Sequence, residues 1–166
     1  MDSIVSQIVN SLSGAISKEL IVFIISLMPV LELRGGLIAG ALLNVPYIKA
    51  AIICILGNII PIPFILLLLK KVFNILEKFG PTKTIVLWLN NKAIKNKSKI
   101  DRYGFLGLVL FVGIPLPGTG AWTGSLIASV FEMDIKKSII AIFLGIILAF
   151  IIMSIVSYGI IGNLIR

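Results

Sequence analysis

Two charged residues, Glu32 and Arg34, stand two positions apart between apolar runs of the chain. Charges in such surroundings are costly to bury, so they usually face a protein interior or a wet cavity and mark a functional site. The guanidinium fork suits a phosphate or carboxylate, and the carboxylate could hold a proton or a cation. The two charges could also pair with each other or simply fix a turn. We expect a substrate or ion site that includes Glu32, Arg34, Gly35 and Gly36.

A second motif, Pro-Leu-Pro-Gly-Thr-Gly-Ala-Trp-Thr-Gly, occupies residues 115–124. Proline removes N–H donors, and glycine permits positive φ and close approach of the backbone. A helix that resumes within residues 119–123 would present free N–H groups to an anion. The Gly-x-x-x-Gly spacing at 36–40 and at 120–124 is equally typical of close helix packing. The predicted site residues in this motif are Pro115, Pro117, Gly118, Thr119, Gly120, Trp122, Thr123 and Gly124.

The composition places these motifs in a membrane protein. Of the 166 residues, 58% are hydrophobic and 13% are charged, whereas soluble domains are about 45–50% apolar and about 25% charged. The chain has no histidine, so the usual proton shuttle and the commonest metal ligand are missing. Its single cysteine, Cys54, excludes an intrachain disulfide. We expect no metal, no cofactor and no enzymatic activity.

Apolar runs of two lengths must position the motifs. Ile48–Leu69 and Ser138–Ile161 are long enough to span a bilayer. Four runs of about half that length flank the motifs: Leu20–Met28, Leu37–Leu43, Phe105–Ile114 and Ser125–Phe131. The order of half-length run, Pro/Gly break, half-length run and full span therefore occurs twice.

Three residues interrupt the first long run. Pro61 and Pro63 should kink it, and Asn58 adds a polar side chain. An amide inside a span usually makes a helix–helix hydrogen bond. We expect that role for Asn58 rather than ligand binding.

The repeated order predicts an all-α integral membrane protein with an inverted-topology repeat and amphipathic surface helices. Each half would consist of a re-entrant helical hairpin and one transmembrane helix, and the halves would run in opposite directions. The rival interpretation makes Leu20–Leu43 and Phe105–Phe131 full spans and gives four plain helices. Because that would place Glu32 and Arg34 near the bilayer centre, we favour the hairpins.

The chain is predicted to form a single membrane domain. Its formal net charge of +8 is concentrated between Lys70 and Arg102, where nine basic residues face two acidic ones. This distribution indicates a cytoplasmic linker that contacts anionic lipid, rather than a nucleic-acid site. The predicted segments are an amphipathic N-terminal helix (1–18), a first repeat (19–69), the basic amphipathic linker (70–104) and a second repeat (105–166).

Residues 32–36 and 115–124 resemble the two signature segments of the putative small multidrug export protein family, a relative of the DedA, or SNARE-associated (VTT), superfamily. The resemblance covers roughly Leu20 to Ile161. It implies two facing re-entrant hairpins, a multi-pass protein of the prokaryotic plasma (inner) membrane and a transport role. In DedA-like relatives it implies proton-coupled transport or translocation of lipid phosphates. Those relatives carry arginines near the second hairpin, whereas the candidate arginine here, Arg34, is in the first.

Together these observations predict a membrane transporter. It would export or translocate a small amphiphilic or anionic lipid-like substrate through a midplane site between the hairpins, with proton or ion coupling. The alternatives are a passive flippase or scramblase for phospholipid or isoprenoid phosphate, and a non-transporting membrane scaffold. Two spans and two hairpins are too few to enclose a path, so we expect a homodimer or larger assembly.

Overall fold

A computed structural model describes residues 2–76 and 97–157 of the chain. Within these two ranges the chain forms helices and no β-strand, which confirms the all-α prediction. In chain order the helices are α1 (Asp2–Leu12), α2 (Lys18–Leu27), α3 (Glu32–Leu42), α4 (Tyr47–Ile59), α5 (Pro61–Leu76), α6 (Lys97–Gly113), α7 (Ala121–Val130) and α8 (Ile135–Ser154).

In the described part of the chain two helical stretches are long and apolar enough to cross a membrane: Tyr47–Leu68, which joins α4 to the first half of α5, and Ile135–Ser157. The first is interrupted at Ile60, immediately before the predicted kink at Pro61. Proline suits the first position of a helix, because its missing N–H would have had no partner there. The second begins three residues before the predicted Ser138. The last residues of that predicted run lie outside the described part of the chain.

Both motifs lie at helix breaks. Residues 28–31 separate α2 from α3, and residues 114–120 separate α6 from α7. Neither Leu20–Leu43 nor Phe105–Phe131 is therefore one continuous helix, contrary to the rival interpretation. The physical reason is that Pro29 and Pro115 lack an N–H donor and disfavour helical geometry in the residue before them.

The first break is shorter than the sequence suggested. Residues 32–36 form the first turns of α3 instead of an irregular turn. The Glu32 N–H donates to the Met28 carbonyl at 2.9 Å, and the Gly35 N–H donates to the Leu31 carbonyl at 2.8 Å. Helical hydrogen bonding therefore resumes at the Glu32 N–H, three residues after Pro29.

Helix α3 lies at the centre of the fold, and its residues 32–41 are all buried. It packs against α1, α2, α4 and α8. A Cβ atom on Gly36 would lie 2.8 Å from Cys54 Sγ on α4 and would overlap Ser26 Oγ on α2. Glycine is thus required where these three helices meet. From α1, the side chains of Val5 and Val9 are buried in the same core.

Helix α8 joins the remaining helices to this centre. It packs along α6 and also contacts α3, α4 and α7, while α7 packs against α5. Val112 of α6 fits between two glycines: a Cβ on Gly124 or on Gly145 would come within 2.6 Å of its side chain. The small-residue spacing at 120–124 therefore does serve helix packing at Gly124.

The basic linker falls largely outside the description. Helix α5 continues to Leu76 and α6 begins at Lys97, so both ends of the predicted 70–104 segment are helical. Residues 77–96 are not described. The predicted contact of this segment with anionic lipid stays a prediction.

Candidate functional site

The Glu32 carboxylate holds the beginning of α7. Its Oε2 accepts a hydrogen bond from the Ala121 N–H, and its Oε1 accepts one from the Trp122 N–H, both at 3.0 Å. The first N–H groups of a helix have no partner within the helix, and the positive end of the helix dipole favours an anion there. The α7 N-terminus predicted to face an anion therefore has one, and it is Glu32, a residue 5% exposed.

The backbone of Glu32 is strained. Its φ is +51°, in the left-handed region that residues with a side chain seldom adopt. Such a conformation costs about 1–3 kcal/mol and persists only where the surroundings impose it. The two hydrogen bonds to α7 are part of those surroundings.

Gly120 makes room for the carboxylate. Its φ is +139°, and a Cβ atom at this position would overlap the carboxyl group of Glu32. The sequence predicted that glycine in this motif permits close approach of the backbone. At Gly120 the group that approaches is the Glu32 carboxyl, which occupies the position where a side chain of residue 120 would lie.

The Arg34 guanidinium holds the end of α6. One nitrogen, Nη1, donates to the Leu116 carbonyl at 2.9 Å. The other, Nη2, has three acceptors: the carbonyls of Val112 at 3.3 Å and Ile114 at 3.2 Å, and Thr119 Oγ1 at 3.0 Å. The last carbonyls of a helix also lack partners, and its negative end favours a cation. Arg34 supplies both the donors and the charge.

Thr119 organises the break itself. Its hydroxyl lies 2.8 Å from the Ile114 and Leu116 carbonyls and accepts from the Leu116 N–H at 3.2 Å. Arg34 Nη2 also donates to this hydroxyl. The hydrogen-bonding groups of the hydroxyl therefore all have partners within the protein. Gly118, with a φ of +80°, completes the turn.

Glu32 and Arg34 thus face different ends of the same break. They form no direct ion pair, a possibility that the sequence left open, although each lowers the electrostatic cost of the other. The carboxylate lies at the positive start of α7, and the guanidinium at the negative end of α6. The dipoles of α7 and α6 therefore stabilise the buried charges of Glu32 and Arg34, respectively.

The other predicted residues differ in their burial. Gly35, Gly36 and Gly124 are buried packing positions, whereas Pro117 and Gly118 are exposed and Pro115 and Thr123 are half-buried. Trp122 is half-buried, and its indole Nε1 is enclosed without a hydrogen-bond partner. The structure thus brings Glu32, Arg34, Thr119, Gly120 and the Trp122 backbone together, and leaves the exposed positions at the edge of the break.

Asn58, for which the sequence predicted a helix–helix hydrogen bond, is buried and 2% exposed. Its side chain, from α4, acts on the Glu32 carboxylate, while the predicted interhelix hydrogen bond stays a prediction. Its Oδ1 atom is buried and receives no hydrogen bond. The only sequence signal was a lone polar residue in an apolar run.

Two apolar clefts lie between other parts of the helices. One, of about 220 Å³, lies between α6 and α7 and is lined by Leu108, Phe111 and Ile127 among others. The second, of about 180 Å³, lies between Pro63 and Phe143. Among the described residues, no three acidic, cysteine or histidine side chains gather as a metal site would require.

Comparison with known families gives one match. The sequence model of one family, described as "Putative small multi-drug export protein", matches residues 32–152. The matched region begins at Glu32 and contains the whole of the second motif. No curated protein and no solved structure matches the chain. The match covers well over half of the sequence, and the chain therefore belongs to the family described as putative small multi-drug export proteins.

Proposed function

We propose that the chain is a multi-pass transporter of a prokaryotic inner membrane. It exports or translocates a small amphiphilic or anionic lipid-like molecule, and a proton or another ion drives the step. The family description and the two stretches long enough to span support a transporter. The observation that carries the proposal is that Glu32 and Arg34, both buried, partner the two helix ends at one break.

In this proposal α2–α3 and α6–α7 are two re-entrant hairpins of an inverted repeat. The two interruptions then lie at membrane depth, where irregular backbone is tolerated only within protein or beside water. Partners for freed N–H and carbonyl groups are needed there, and α3 supplies them to α6 and α7. Broken helices of this kind form the binding sites of many transporters.

Glu32 is the coupling residue in this mechanism. Protonation removes its negative charge, which weakens the bonds from the Ala121 and Trp122 N–H groups. A hydrogen bond to a charged group contributes about 1.5–3 kcal/mol, roughly twice a neutral one. Binding of one proton can therefore release the start of α7. The anionic group of a substrate then takes the vacated N–H groups.

Arg34 is the anion anchor and counter-ion. Its guanidinium lies at the same break and remains charged at any physiological pH. An anionic headgroup that enters beside α7 meets this charge and can compete for its donors with the α6 carbonyls. The cleft between α6 and α7 is apolar and suits the apolar part of an amphiphile.

Transport by the reconstituted protein tests the proposal. Proteoliposomes would be assayed with ethidium, an amphiphilic cation, and with fluorescently labelled phosphatidylglycerol, an anionic lipid, each with and without a proton gradient. For whichever probe the wild-type protein transports, we expect Glu32→Gln and Arg34→Lys each to lower the transport rate at least about tenfold. Lys49→Met, which removes an exposed cation outside the site, is the matched control. Wild-type rates for both site variants would overturn the proposal.

Two alternatives give different results in the same assays. A passive flippase or scramblase moves the labelled lipid at a rate that a proton gradient does not change. A scaffold moves neither probe. Single cysteines at positions 31–36 and 116–123, in a Cys54→Ser background, distinguish the scaffold further, because its helix breaks would resist polar thiol reagents from both sides of the membrane.

We also propose that the transporter is a homodimer or larger, because its few membrane segments leave little enclosed volume. Native mass spectrometry from lipid nanodiscs tests this. A monomer that transports at the full rate per chain would contradict it.

A further inference from the structure

Four oxygen atoms converge on the Arg34 guanidinium. Three are the carbonyls of Val112, Ile114 and Leu116, at the end of α6 and just beyond it, and the fourth is Thr119 Oγ1. Each lies within 3.3 Å of a guanidinium nitrogen. The Thr119 hydroxyl is also 2.8 Å from the Ile114 and Leu116 carbonyls, so these oxygens are close to one another. The guanidinium is therefore a cation held in a cluster of neutral oxygen atoms.

The composition of this oxygen cluster suits a small monovalent cation. Backbone carbonyls at the C-terminal ends of broken helices coordinate sodium in transporter folds, and carbonyl oxygens replace the hydration shell of potassium in channels. The four oxygens carry no formal charge, whereas sites for divalent cations usually include carboxylates. The negative end of α6 adds to the attraction for a cation.

The Val112 carbonyl depends most on the cation that fills the cluster. Within a helix its donor would be the N–H of residue 115 or 116. Pro115 has no N–H, and the Leu116 N–H donates to the Ile114 carbonyl at 2.9 Å. If Arg34 turned towards an anionic substrate, the buried Val112 carbonyl would lose its partner, which costs about 1–3 kcal/mol. A free cation in the vacated cluster would restore that contact.

We propose that the oxygen cluster is a binding site for a monovalent cation, which a free sodium or potassium ion occupies when Arg34 leaves it to bind the anionic substrate. Ile114 and Leu116 are 41% and 55% exposed, so an ion can reach the oxygens from the protein surface. The exchange makes and breaks no covalent bond, and the incoming cation balances the charge of the incoming anion. The inference rests on the transport function proposed above and deepens it, because it gives the anion an accompanying cation.

Thermal unfolding of the full-length protein in detergent tests the site without any transport measurement. Arg34→Met removes the charge and the donors, and would be melted in choline, sodium and potassium chloride at equal concentration. We expect sodium or potassium to raise its melting temperature by at least about 3 °C over choline, because a ligand that binds only the folded state stabilises it. The wild type, in which Arg34 fills the cluster, should melt at the same temperature in all three salts.

Two neighbouring threonines give a matched pair of changes in the Arg34→Met protein. Thr119→Val removes one oxygen of the cluster and should reduce the shift to less than half. Thr123→Val makes the same change within α7, outside the cluster, and should leave the shift intact. If methionine prevents folding, the neutral Arg34→Gln takes its place with the same expected results. Equal melting temperatures in the three salts, or a shift that survives Thr119→Val, would overturn the cation site.

Transport rates separate this proposal from the one on which it rests. Wild-type proteoliposomes would be assayed with labelled phosphatidylglycerol, with sodium and potassium replaced by choline at a fixed proton gradient. We expect the rate to fall severalfold in choline, and an unchanged rate would overturn the exchange between Arg34 and a free cation. A salt-dependent melting temperature without transport of either probe would overturn the transport function and leave the cation site standing.

Discussion

Gly120 and Glu32 share one volume: the carboxyl group of Glu32 fills the space in which residue 120 would carry a side chain. The two residues belong to different motifs and are 88 positions apart in the sequence. Their contact directs the acid onto the N–H groups of Ala121 and Trp122. The glycine is therefore part of the charge arrangement as well as of the turn.

Gly120→Ala should destabilise the protein by about 2–5 kcal/mol, since it combines a positive φ with overlap in a packed region. Gly118→Ala is the matched control, because its φ is also positive but no atom lies within 4 Å of the new Cβ. The control should lose about 1–3 kcal/mol from strain alone. Unfolding in detergent, followed by helical circular dichroism, measures both. Equal losses would mean that the carboxyl does not occupy this space.

Arg34→Lys should destabilise the protein by about 1–3 kcal/mol, because an ammonium cannot match the planar fork and at least one buried carbonyl loses its donor. The reverse exchange, Lys49→Arg, is the control. It alters an exposed ion pair with Glu19 and should change stability by less than about 0.5 kcal/mol. The same unfolding assay gives both values, and an Arg34→Lys protein as stable as the control would contradict the described hydrogen bonds.

Gly36→Ala should be destabilising by about 1–3 kcal/mol, because its Cβ would overlap Ser26 Oγ. Removal of that hydroxyl in Ser26→Ala should restore part of the loss, with a favourable coupling of about 0.5–3 kcal/mol in a double-mutant cycle. The Cys54 sulfur, 2.8 Å from the new atom, limits the rescue. Strict additivity of the two changes would show that α2 and α3 do not meet at this point.

Stability should depend on acid pH through Glu19. Its hydrogen bond with Lys49 is the main cause that lowers the pKa of this exposed carboxyl below its ordinary value of 4.5. Because the pKa is lower in the folded state, the contribution is complete above about pH 4.5 and is lost as the pH falls through the folded value. The difference in melting temperature between wild type and Lys49→Met should shrink over that interval. It will be small, since exposed pairs contribute little. A difference that grows as the pH falls would contradict this sign.

The sequence by itself determined the class of the protein and the places where its helices break. Long apolar runs have no stable alternative to helices in a bilayer, because every backbone N–H and carbonyl must find a partner. Pro29 and Pro115 interrupt those helices for reasons that are local to the chain. The sequence likewise singled out Glu32 and Arg34, because charge is scarce in such surroundings.

What only the tertiary structure decided is the partner of each charge. From the sequence, Glu32 and Arg34 could bind each other or a ligand, because two positions of separation permit both. In the folded chain Glu32 lies against the start of α7, and Arg34 against the end of α6. These contacts join residues 78–90 positions apart, and no local pattern encodes such pairings; they follow from tertiary packing, in which α8 contacts α3, α6 and α7.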